Sequence, residues 1–115
     1  MHYVRNRRAR KLAARRLKYA RNLLKDNNDG FYEEVLKAYW GYLSDKLNVN
    51  TSELSKDTID ERLKEKGVPD DVLNNLWTLI EECEYSRYAP GEAADMDTIY
   101  QRAEDMLSVV EENIP

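Results

Sequence analysis

Four groups of turn-forming residues punctuate this chain: Asn27-Asn28-Asp29-Gly30, Asn48 to Ser55, Gly67-Val68-Pro69 and Ala89-Pro90-Gly91. Between them the apolar residues recur every three or four positions rather than every second one, which predicts amphipathic helices and no strand. Five helices are expected. The first, about Tyr3 to Lys25, sets Ala9, Ala13, Leu17, Ala20 and Leu24 on one stripe with Leu12, Tyr19 and Leu23 alongside, and Arg8, Arg10, Lys11, Arg15, Lys18, Arg21 and Lys25 opposite. At about 100° per residue, Arg16 falls inside the apolar arc, where a bare charge is costly. It is expected to snorkel or to pair with a carboxylate.

The second helix, about Phe31 to Leu47, is apolar around more than half its circumference and therefore needs neighbours on two sides. It is expected to be the central element, with Trp40 as a core anchor and Gly41 marking the close approach of another helix. A short third helix, about Lys56 to Lys66, carries Ile59 and Leu63 between a Ser55 N-cap and a Gly67 stop. Pro69 is placed at the first position of the fourth helix, whose apolar face holds Val72, Leu73, Leu76, Trp77, Leu79, Ile80 and Cys83. The segment from Tyr85 to Gly91 is expected to end it, because Pro90 cannot continue a helix. The fifth, capped by Asp95 or Asp97, shows Ile99, Ala103, Met106, Leu107 and Val110 at helical spacing. The fold class is all-α: a small bundle of about five helices, with helix two central, packed against helix four, and a long basic first helix.

Charge changes this picture more than composition does. The first 25 residues hold ten Lys and Arg and no acid, whereas residues 26 to 115 hold all 22 Asp and Glu against eight basic groups. The chain is thus +10 followed by −14, which sums to the net −4. Two such ends seek different partners. A length of 115 residues with 42% hydrophobic content suffices for one core. No run of 18 apolar residues occurs, so the chain as given is expected to be soluble.

Candidate chemistry is sparse. His2 and Cys83 are the only histidine and cysteine, which argues against a His/Cys zinc site, a Cys-His dyad or an internal disulfide, and fits a reducing compartment. Cys83 is expected to be a small core residue, and Trp77, like Trp40, a core anchor. Glu81, Glu82 and Glu84 point around their helix rather than converging. The four glycines lie singly at 30, 41, 67 and 91, so no phosphate loop is formed. Neither an enzyme nor a cofactor is expected.

Three separated motifs carry a family resemblance. Phe31-Tyr32-Glu33-Glu34 with Ala38-Tyr39-Trp40-Gly41-Tyr42-Leu43-Ser44-Asp45-Lys46-Leu47-Asn48, then Leu54-Ser55-Lys56-Asp57 before a helix ending near Gly67-Val68, then Cys83-Glu84-Tyr85-Ser86-Arg87-Tyr88-Ala89-Pro90-Gly91, all resemble the C-terminal domain of the BatD aerotolerance family. The likeness covers about residues 12 to 112 in order. It implies a bacterial envelope protein with a signal peptide, sandwich-like extracytoplasmic domains, one membrane span and a helical cytoplasmic tail, to which this chain corresponds. The span and everything before it are missing from this chain, so Met1 is then not expected to be the natural start. The resemblance also implies a place on the cytoplasmic side of the inner membrane, a role in oxygen and stress tolerance, and von Willebrand A-type membrane proteins and a MoxR-type AAA+ ATPase as partners. Residues 1 to 11 then act as a basic juxtamembrane-like arm continuing into helix one, and residues 12 to 115 as the bundle domain.

The leading expectation is a non-catalytic adaptor domain. Arg8, Arg10, Lys11, Arg15 and Lys18 are expected to meet the phosphates of an anionic membrane surface, and the acidic faces of helices four and five to meet basic protein surfaces. Tyr85, Arg87, Tyr88 and Pro90 form the candidate docking lip, with Arg87 more readily a paired structural arginine. A nucleic-acid binder is the runner-up, because cations along one helix can equally follow a phosphate backbone. The −14 body and the scarcity of aromatics in that helix argue against it.

Overall fold

Helices form where the periodicity places them. The computed structural model describes residues 2–25, 30–88 and 96–114, with side chains described for 10–23, 30–50, 52–88 and 96–114. It contains α1 (His2–Lys25), α2 (Gly30–Leu47), a single 3-10 turn (Thr51–Glu53), α3 (Lys56–Glu65), α4 (Asp70–Tyr88) and α5 (Met96–Asn113), and no strand among the described residues. The all-α bundle expected from the sequence is what folds.

α1, α2, α4 and α5 make a ring. α1 packs on α2 and α5, α4 packs on the same two helices, and α3 closes one side against α2 and α4. α1 and α4 therefore stand at opposite corners of a four-helix bundle. α2 touches every other α-helix, as its broad apolar circumference requires. It does pack on α4, yet its most extensive partner is α1, with which it forms an antiparallel hairpin. A 24-residue helix is about 36 Å long, close to the molecule's longest dimension of 40 Å, so α1 runs the length of the bundle.

The core is rich in tyrosine. Phe31, Tyr32, Tyr39, Tyr42 and Leu43 of α2 are fully buried, with Ile59 and Leu63 of α3, Leu76 and Leu79 of α4, and Ile99 and Val110 of α5. A buried phenol needs an acceptor. The Tyr39 hydroxyl donates to the Ala103 carbonyl, and that of Tyr42 donates to the Glu111 carboxylate, so both tie α2 to α5. Burial drives both phenol pKa values above the ordinary tyrosine range.

The short α3 stands between two local signals. The Ser55 side chain accepts from the Thr58 amide at 3.2 Å. At the other end the Gly67 amide donates to the Lys64 carbonyl and the Val68 amide to that of Leu63, with Gly67 at φ 91°. This is a Schellman closure, and its apolar pair, Leu63 and Val68, is buried.

Several details differ from the sequence expectation. The Pro69 carbonyl accepts from the Leu73 amide, so Pro69 is the N-cap of α4 rather than its first helical residue. α4 continues through Tyr85, Ser86 and Arg87 to Tyr88, because a proline at 90 restricts itself and the residue before it and leaves Tyr88 helical. Asp97 lies inside the first turn of α5, and Asp95 is outside the described residues. Among the described residues nothing approaches Gly41, where an added methyl group would meet no atom within 4 Å. Arg16 is exposed and joins no ion pair among the described residues, so its position at the edge of the apolar arc lets the head group reach water.

Candidate functional site

The basic surface comes from the way α1 uses its circumference. Ala13, Leu17 and Ala20 are buried against the bundle, and Ala14 and Leu23 pack at the margin. Small residues on this seam let α1 lie close to α2. What remains outside is a strip at i, i+3, i+4 and i+7, namely Leu12, Arg15, Arg16 and Tyr19, flanked by Lys11 and Lys18, all exposed. Among the residues whose side chains are described, Arg10 to Leu23 of α1 form no ion pair with the rest of the protein, although the acids outnumber the bases on both α4 and α5 by five to one.

The expected phosphate-contact residues divide into two sets. Lys11 and Arg15 point outward. Arg10 and Lys18 line, with Ala14 and Leu17, one wall of a groove of about 310 Å³ whose other wall is Gln101, Glu104, Asp105, Leu107 and Ser108 of α5. The field of Arg10 reaches the Tyr42 hydroxyl and opposes the upward pull of burial and Glu111 on its pKa. The side chain of Arg8 lies outside the described residues. Arg21, not singled out from the sequence as a contact, places its guanidinium 5.9 Å from the centre of the Tyr100 ring.

The acidic side is distributed and locally paired. Glu81, Glu82 and Glu84 each face a different cation: Lys56 at 3.7 Å, Arg102 of α5, and Arg87 at 3.1 Å. Asp57, Glu61, Glu65, Asp70 and Asp71 remain exposed on α3 and the start of α4. Among the described residues no group of three His, Cys, Asp or Glu side chains is arranged to hold a metal. The Cys83 thiol is fully buried, and desolvation, with the nearby Glu82 charge, pushes its pKa up to about 12.

The docking lip expected at the end of α4 is a surface of two tyrosines and one arginine. Tyr85 is 54% and Tyr88 78% exposed. Arg87 donates to Glu84 and to the Tyr88 hydroxyl at 2.8 Å, and its guanidinium lies 4.7 Å from the Tyr88 ring centre. Its Nε is buried without an acceptor among the described residues. Pro90 lies outside the described residues.

The two tryptophans meet at a ring separation of 6.0 Å. Trp77 is buried and donates from Nε1 to Asp60 at 2.8 Å, a bond that holds the Asp60 carboxyl below its usual pKa, with Lys64 assisting. Trp40 is only partly buried, because it covers Trp77 from the rim of the bundle.

A buried polar cluster was missed from the sequence. Lys46 is 8% exposed and donates to Glu111 at 2.9 Å, while Tyr42 holds the other oxygen of the same carboxylate. The position of Lys46 seven residues after Tyr39, on the apolar arc of α2, was a signal that it turns inward.

Among the described residues no helix is long and apolar enough to cross a membrane. No family model, curated protein or solved structure matches this chain.

Proposed function

We propose that this domain is a non-catalytic adaptor, the cytoplasmic tail of a BatD-type membrane-anchored protein acting in bacterial oxygen and stress tolerance. The reading rests on the likeness of its three sequence motifs and on one structural observation: the cations on the outer face of α1 are left without carboxylate partners among the described residues. A protein with acids in excess on α4 and α5 has ample means to neutralise that face. An exposed cationic strip on α1 at one corner and the acidic α4 at the diagonal corner suit a molecule held between an anionic membrane surface and basic protein surfaces. Each cation near such a membrane surface contributes about 1 kcal/mol.

The proposed protein partners are von Willebrand A-type membrane proteins and a MoxR-type AAA+ ATPase. Tyr85, Arg87 and Tyr88 supply the aromatic and cationic groups that anchor interfaces. The test is a direct titration of the labelled chain with each purified partner. Saturable binding that weakens in a Tyr85→Ala/Tyr88→Ala chain is the expected result. Absence of binding to both partners would overturn the partner assignment, and saturable binding to mixed DNA or RNA at the same salt would favour the nucleic-acid alternative.

A further inference from the structure

The outer strip of α1 is not uniformly cationic. Leu12 and Tyr19 are 41% and 54% exposed, and they are two of the four large apolar side chains open to water among the described residues. They sit seven residues apart, about two helical turns or 10 Å along the axis, and Arg15 and Arg16 lie between them on the same strip. The buried seam of Ala13, Leu17 and Ala20 accounts for the packing of α1 and makes no use of either residue.

We infer that this strip is an interfacial face. Resting on the membrane reading above, it names the manner of contact: α1 lies parallel to an anionic bilayer, Lys11, Arg15 and Arg16 meet lipid phosphates, and Leu12 and Tyr19 enter the boundary between headgroups and acyl chains. Leucine and tyrosine interleaved with cations match a surface that is anionic outside and apolar just beneath. A nucleic-acid duplex offers the same phosphodiester charge and no apolar layer for Leu12. The ring topology supports the same occupant. α4 stands at the corner diagonal to α1, and the bundle is 25 to 26 Å across its short axes. That exceeds two Debye lengths at physiological ionic strength, each about 8 Å, so the exposed acids of α4 scarcely oppose a flat anionic surface meeting α1. The opposite signs at the two corners also orient the domain, with α4 turned away from the bilayer.

The test uses the full chain with vesicles of phosphatidylcholine alone or with phosphatidylglycerol added. Binding is expected only to the anionic vesicles. Leu12→Ser/Tyr19→Ser is expected to weaken it about tenfold and to make the remainder fully salt-sensitive, with unchanged helical circular dichroism. A Tyr19→Trp chain is expected to gain fluorescence that brominated acyl chains quench, above the background of Trp40 and Trp77. Undiminished binding of the double serine variant, together with an unquenched Tyr19→Trp signal, would overturn apolar entry and leave the electrostatic reading standing. Failure of the parent chain to bind phosphatidylglycerol vesicles at low salt would remove both. Tighter binding to a DNA duplex at equal phosphate concentration would likewise overturn the inference.

Discussion

Lys46 is a charged side chain held at 8% exposure, and it is tolerated there because Glu111 faces it at 2.9 Å and Tyr42 satisfies the second carboxylate oxygen. Its inward position was legible from the arc of α2, whereas its partner was not, since Glu111 lies 65 residues away. Cys83 is the opposite case. Its place on an apolar face foretold a core thiol, and burial keeps that thiol neutral up to a pKa of about 12. Tyr39 and Tyr42 are likewise raised above the ordinary phenol value. All three hold protons in the folded state that the unfolded chain releases, so their stabilising contribution is whole below the ordinary thiol pKa of about 8.5 and is lost as pH rises through the folded values. The unfolding free energy from urea titration should therefore be level from about pH 7 to 8 and then fall, by up to about 1.4 kcal/mol per pH unit for each group titrating in the unfolded chain, with the urea midpoint falling in step. Cys83→Ala should flatten the first part of that fall. A midpoint unchanged up to pH 11 would refute the account.

Elements were legible where their signals are local. The Ser55 cap and the Gly67 closure lie within a few residues of α3, so the sequence contains both halves of each interaction. Gly41 shows the limit of such reading. A glycine inside a helix is consistent with a close neighbour or with none, and only packing distinguishes them; here the described residues leave open space. Alanine at 41 therefore meets no obstacle and removes the entropic cost of glycine, so Gly41→Ala should raise stability by about 0.5–1 kcal/mol and the melting temperature by about 4 °C. Gly67→Ala should do the reverse by about 1 kcal/mol, because its φ of 91° strains any residue with a Cβ. Calorimetry on the two variants checks both signs. A destabilised alanine at 41 would show that another element does approach it.

At the scale of the whole molecule, α1 is a wall of the bundle rather than a detachable basic appendage. It runs the length of the fold and packs on α2 and α5, with Ala13, Leu17 and Ala20 all buried. Removing residues 1–25 uncovers a helix whose Phe31, Tyr32, Tyr39 and Tyr42 are all buried in the intact protein, and loss of the cooperative thermal transition is the expected outcome. A truncated chain melting sharply within a few degrees of the parent would disprove that dependence. The sequence alone determined the helical class, the order and approximate ends of the helices, the central place of α2 and the division of charge between stem and body, because three-to-four spacing, caps and charge runs are properties of neighbouring residues. Tertiary structure decided which cations face outward and which face the α5 groove, the diagonal placement of α1 and α4, and the meeting of Tyr42 with Glu111 across 69 residues. Those depend on how helices rotate and cross when their apolar faces are buried together, and no short stretch of chain specifies that rotation.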